Sequence, residues 1–153
     1  MKTLKIGVII ASMLLASSMG ISTLRELPKT EANQKDLDCL AKNIYHEARG
    51  EPLAGQAAVA QVTLNRVNSK KYQKSVCEVV YANKQFSWTN KQSKKITDSK
   101  AWKTSLAIAE AVLTKQSALP NFEALYFHTK QVNPKWNRKK QIVAKIGNHI
   151  FYS

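Results

Sequence analysis

From Asp36 onward the apolar positions fall into a helical rhythm: Leu37, Leu40, Ala41, Ile44 and Ala48 share one face. Asp36 fits an N-cap before that face and Gly50 a stop after it. EPLAG then reads as a loop. GQAAVAQVTLNRV, Gly55–Val67, is apolar on most faces, which predicts a helix buried in the core. SVCEVVY, Ser75–Tyr81, predicts a short helix that turns Cys77 inward. The polar stretch Asn83–Lys95 predicts a loop, interrupted by QFSW. Asp98–Lys115 predicts a long helix with Trp102, Leu106, Ala109, Val112 and Leu113 on one side. The last third changes period. ALYFH, Ala124–His128, predicts a strand, and Lys140–Ile146 with His149–Tyr152 predicts a hairpin about Gly147-Asn148. The pattern is α+β: mostly helical with a small C-terminal antiparallel sheet, in one domain over residues 36–153. That length supports one core and a cleft.

Ahead of the domain, two lysines in the first five residues precede the apolar run IGVIIASMLLA and the small residues ASSMG. Basic, apolar, then small is the order of an export signal, so residues 1–21 are expected to act as a signal peptide or signal-anchor. No charge lies between Lys5 and Arg25, and a bilayer needs roughly 20 such residues. A retained signal would therefore touch the membrane through residues 6–24. Residues 22–35 are polar, contain Pro28 and lack apolar periodicity, as a linker does. The expected location is outside the cytoplasm, in the periplasm or cell wall. Cys39 and Cys77 suit that compartment as one disulfide. Without a CxxC pair they do not suggest a zinc knuckle.

Charge narrows the partners. Among 153 residues, 24 Lys and Arg oppose 10 Asp and Glu, a net +14. Such an excess favours polyanions, among them the acidic polymers of a cell envelope. Export and the lack of a recognisable reader fold argue against nucleic acid. NPKWNRKKQ and NKQSKK gather the excess around Trp136. This is either a solvated face or a source of attraction to teichoic acids, lipid headgroups or peptide-stem carboxylates.

The chemistry lies in IYHEARGEP. Glu47 follows Ile44 by three residues and Leu40 by seven, which puts it on the edge of the apolar face. A carboxyl held partly away from water favours its neutral form, as a general acid requires. Glu51 follows the Gly50 breaker and precedes Pro52. It is expected to face solvent or to hold the loop by a salt bridge, with Arg49 and Arg66 as candidate partners. Spacing alone does not separate the two glutamates.

LAKNIYHEARGEPLAGQAAVAQVTLNRVNS resembles the central motif of the SleB/CwlJ family of cell-wall hydrolases. The likeness continues through SVCEVVY, QFSW, ALYFH and PKWNRKKQIVAKIGNHIFY, in order across residues 37–152. The resemblance implies a lysozyme-like, lytic-transglycosylase-like domain that cuts peptidoglycan glycan strands, with Glu47 as the catalytic residue. A glycosidase with two carboxylates needs a partner across the bond. None of Asp36, Asp38, Glu51, Glu78, Asp98, Glu110 and Glu123 is an obvious one. That favours a lytic transglycosylase, which needs a single carboxyl. A hydrolytic muramidase and a non-catalytic basic wall-binding module are the alternatives.

Around Glu47, Gln85 and Ser87 are expected to line the cleft, with Phe86 packing beneath. Trp88 suits either a sugar-stacking ring or a core anchor. Tyr126 and His128 alternate on the predicted strand and so share a face, which the resemblance turns towards the glycan. His46, His128 and His149 raise the alternative of zinc, but no HExxH is present, and neither metal nor cofactor is expected. His149 reads as a structural hairpin residue.

Overall fold

The computed structural model describes residues 31–90, 95–116 and 119–153. The signal and its membrane contact, the linker up to residue 30, and Lys91–Lys94 within NKQSKK lie outside them. Among the described residues no helix is long and apolar enough to cross a membrane.

Helix α1 runs Glu31–Ala48, five residues earlier than its apolar rhythm predicts. Residues 31–35, read from their polarity as linker, are its first turn. Asp36 therefore sits inside the helix, where its carboxylate accepts the backbone N–H of Cys77 at 3.4 Å. The apolar face behaves as its spacing demands, with Leu40, Ala41, Ile44 and Ala48 all buried. The helix stops before Arg49-Gly50, and Glu51 N–H closes the turn on Ala48 O at 2.9 Å. Pro52 then opens α2 (Leu53–Asn68), its carbonyl accepting the N–H groups of Gly55 and Gln56 at 2.8 and 3.0 Å.

α2 is the central element, as its all-round apolar character requires. Ala57 and Ala60 join the core shared by α1, α3 and α4, while Ala58, Val59 and Val62 join a second core under the sheet. Helix α3 (Val76–Tyr81) starts on a reciprocal cap, Ser75 Oγ accepting Glu78 N–H and Glu78 accepting Ser75 N–H. The Cys39–Cys77 disulfide ties it to α1. QFSW runs into a 3₁₀ turn, Ser87–Asn90. Helix α4 (Ser99–Leu113) is capped by Asp98, whose side chain accepts Ala101 N–H at 2.9 Å.

The sheet has three antiparallel strands, β1 (Tyr126–Thr129), β2 (Ile142–Ile146) and β3 (His149–Tyr152), in the order β1-β3-β2. Side-chain alternation divides it cleanly. Phe127, His149 and Phe151 point one way, with Phe151 fully buried in the second core. Tyr126, His128 and Tyr152 point the other way. There the 3₁₀ turn Lys135–Lys139 lays Trp136 against all three rings, at 5.5 to 5.7 Å between centroids. α2 also fixes the entry to β1. Asn65 donates to the carbonyls of Phe122 and Ala124 at 2.8 and 3.0 Å, and Arg66 Nε donates to Leu125 O at 2.8 Å.

Candidate active site

Asn43 and Glu47 lie one turn apart on the same side of α1. Buried Asn43 donates to Thr63 Oγ1 of α2 at 3.2 Å, which fixes the face that α1 presents there. Half-buried Glu47, one turn on from Asn43 along α1, favours the charged form of Arg66, less strongly than Tyr72 and Tyr126 do.

Arg66 is buried, 6 % exposed. Its guanidinium lies 5.3 Å from the Tyr72 ring centroid and 5.5 Å from that of Phe86. Nη1 has no hydrogen-bond partner among the described residues. Burial pushes its pKa below the ordinary arginine value, against the opposing pull of Tyr72, Tyr126 and Glu47. Tyr72 is pushed up to about 12 by burial and by the hydrogen bond it donates to Tyr126. Tyr126 is lowered by accepting that bond, and further by Lys140. Lys140 Nζ stands 3.4 Å from the Tyr126 ring centroid. A polar chain thus runs Arg66, Tyr72, Tyr126, Lys140 to the outer face of the sheet, with Glu47 acting on its first member by charge.

Glu51 has a different task. Its Oε2 accepts Asn148 N–H at 2.7 Å and lies 3.9 Å from His149 Nδ1, while its carbonyl accepts Gln56 Nε2 at 3.0 Å. Neither arginine pairs with it, contrary to the expectation from sequence. Arg49 lies over the Tyr45 ring, 4.9 Å from its centroid, and Arg66 is committed to Leu125 and the tyrosines. The partners of Glu51 come from a turn 97 residues away, which local spacing does not reveal. The two glutamates therefore differ: Glu51 clamps a hairpin, and Glu47 acts by its charge on a buried cation.

Phe86 packs as expected, buried and 6.3 Å from Phe127 between centroids. Its contact with Arg66 brings half-buried Gln85 and exposed Ser87 alongside that residue. Trp88 goes into the core, 6 % exposed, stacked on His46 at 4.5 Å and edge-on to Tyr81 at 5.8 Å. His128 shares its face with Tyr126 but is covered. Its Nδ1–H donates to Thr129 O at 2.8 Å, which leaves Nε2 to accept the Tyr152 hydroxyl at 2.9 Å. His149 is 2 % exposed behind the hairpin, where burial and nearby His128 lower its pKa below 6.5 against the pull of Glu51. Among the described residues no three His, Cys, Asp or Glu side chains converge as a metal site would require. A groove of about 590 Å³ between α2 and α4 is lined by Leu53, Ala57, Ala107, Ile108 and Leu119 and offers no titratable group.

The sequence singles out Glu47, Tyr126 and the QFSW segment, and the structure adds neighbours to them. Sequence reasoning missed Asn43, Thr63, Tyr72 and Lys140. A single aromatic inside the polar run SKKYQK was the one local sign of Tyr72.

Helices gathered around a buried central helix, a carboxylate at the end of the helix beside it and a three-stranded sheet as the wall define a lysozyme-like domain. The chain belongs to the cell wall hydrolase family, whose model matches residues 50–152, a span that opens three residues after Glu47. It is 34% identical over 122 residues to a spore cortex-lytic enzyme of Bacillus cereus, covering 78% of this chain and 44% of that protein. The chain thus spans less than half the length of that relative. The catalytic domain of the Bacillus cereus SleB protein superposes with a TM-score of 0.63 at 31% identity, covering 83% of this chain and 95% of that one. The catalytic domain of SleB from Bacillus anthracis, described as a germination-specific lytic transglycosylase, superposes at 0.66 with 31% identity. It covers 83% of this chain and 100% of that one.

Proposed function

We propose that this domain cuts the glycan strand of peptidoglycan between N-acetylmuramic acid and N-acetylglucosamine, as a lytic transglycosylase with Glu47 as acid and then base. The observation that carries this reading is the fate of the other carboxylates. Asp36 is bound to Cys77 N–H, Asp38 to Lys42 at 2.6 Å, and Glu51 to the hairpin. Glu78 and Asp98 cap helices, and Glu110 and Glu123 are exposed. Glu31 is exposed too, whereas Glu47 is half-buried at the end of α1 and acts by its charge on buried Arg66.

One carboxyl suffices for the following sequence. Glu47 protonates the oxygen linking muramic C1 to glucosamine, and that C–O bond breaks. The resulting carboxylate takes the proton of the muramic 6-hydroxyl, whose oxygen bonds to C1 of the same sugar. A 1,6-anhydro end forms, no water is consumed, and Glu47 regains its proton. Arg66 supplies a counter-charge to the intermediate carboxylate. Tyr126, Gln85 and Ser87 present polar groups to the sugar hydroxyls, and His128 holds Tyr152 and the covering turn in place. The substrate puts the working protein outside the cytoplasm, as the leader implies.

Digestion of intact sacculi followed by mass spectrometry tests the proposal. Fragments one water lighter than reducing muramic ends are expected. Glu47→Gln should lower their release by at least about 10²-fold while the variant still binds sacculi. Reducing ends would replace transglycosylation with hydrolysis, and undiminished activity of Glu47→Gln would remove that residue from its role.

A further inference from the structure

We propose that Trp136, Lys140 and Lys71 form a subsite, next to the catalytic cleft, for the acidic peptide stem carried by the muramic acid residues of the strand being cut. This rests on the reading above and adds a determinant of substrate choice to it.

Trp136 is 37 % exposed although its ring is seated on Tyr126, His128 and Tyr152. The turn that carries it is closed by Lys140 N–H to Asn137 O at 3.1 Å and by Asn137 Nδ2 to Asn133 Oδ1 at 2.9 Å. His128 stiffens the seat through its bond to Tyr152. A large ring held from below and open above is a preorganised platform, costing little ordering on binding. The core needs no such ring on its outer side.

Beside the platform the charge is one-signed. After Glu123 the chain carries Lys130, Lys135, Arg138, Lys139, Lys140 and Lys145, and no acid. Lys42, which pairs with Asp38, belongs to α1 and not to this patch. Lys140 stands directly over Tyr126, and Lys71 acts on the same tyrosine from the loop after α2. Of these cations Lys140 lies on Tyr126, the ring that is hydrogen-bonded to Tyr72 beside Arg66.

The matching ligand is anionic, partly apolar and attached to the sugar at the cleft. A peptide stem meets all three conditions: its carboxylates answer the ammonium groups, its side chains answer Trp136, and its lactyl link fixes it beside the scissile bond. A polyphosphate wall polymer meets the first alone, since Trp136 offers it nothing and it has no tie to the cleft.

The test uses the full chain carrying Glu47→Gln, so binding is read without turnover. Its probes are soluble glycan strands with stems intact, and the same strands after an amidase has removed the stems. The stem-bearing strands should bind roughly tenfold tighter. Adding Lys140→Gln should weaken them about threefold to fivefold and weaken stem-free strands by less, while Lys140→Arg restores affinity. Equal affinity for the two strands would overturn the proposal. So would an equal Lys140→Gln loss for both, or stem-independent binding abolished by competing polyphosphate. Scission by the wild-type protein is scored separately, so a stem preference without cutting would refute the proposed reaction and keep the subsite.

Discussion

Gly147→Ala probes the contact that joins the hairpin to the turn between α1 and α2. Gly147 has φ +56°, in the left-handed region. A β-carbon there would overlap Glu51 Oε2 and meet Pro52 Cδ at 2.9 Å. Neither neighbour yields easily, because Pro52 is the backbone entry to α2 and Glu51 is tied to Asn148 N–H at 2.7 Å. Left-handed backbone costs an L-residue about 1–2 kcal/mol. Pushing Glu51 aside forfeits a hydrogen bond to a charged group, about 1.5–3 kcal/mol. The sum is about 2.5–5 kcal/mol, or roughly 10–20 °C in melting temperature at about 4 °C per kcal/mol for a domain of this size. Thermal and urea melts of four proteins make the assay: wild type, Gly147→Ala, Glu51→Ala and the double variant. With Glu51 shortened, the added methyl should cost the backbone contribution alone, about 1–2 kcal/mol, so the cycle should show coupling of about 1.5–3 kcal/mol. A single-variant cost below about 1 kcal/mol, or strict additivity, would refute the reasoning.

Two further perturbations read other parts of the fold. The Cys39–Cys77 bridge closes a separation of 38 residues, worth about 4 kcal/mol by loop-closure entropy; reduction or paired alanines should lower the urea midpoint, and an unchanged midpoint would contradict that value. His149 has a folded pKa below its ordinary 6.5, so on acidification the unfolded chain takes up its proton first and stability falls as pH drops below about 6.5. A melting series from pH 8 to 5 reads that fall. The His149→Gln protein should show a shallower slope, and an identical slope would assign the loss to other groups.

The amphipathic and all-apolar stretches announced α1, α2 and α4 because each has enough residues for a helical period to show. The hairpin was legible in Gly147-Asn148, where the turn chemistry is local. The start of α1 was not, since Glu31–Lys35 carry no apolar rhythm although they are helical. The half-buried place of Glu47 on the rim of an apolar face was legible from its spacing. The role of Glu51 was not, because its partner is 97 residues distant and two nearer arginines offered themselves instead. Trp88 remained ambiguous for a related reason. An aromatic in a polar loop has no periodicity to tell a sugar platform from a core anchor, and contact with His46 decided for the core.

The strand order β1-β3-β2 places the last strand in the middle. Neither outer strand can pair with the other, and Glu51 has nothing to hold until Asn148 arrives. The cleft wall is therefore assembled last, by contacts spanning most of the domain, and such long-range closure is slow. As the chain emerges from its amino end, the residues around Glu47 are laid down early while their opposite wall is still missing. Synthesis thus carries its own delay: the sheet cannot close on the helices until residues 149–152, its middle strand, have emerged.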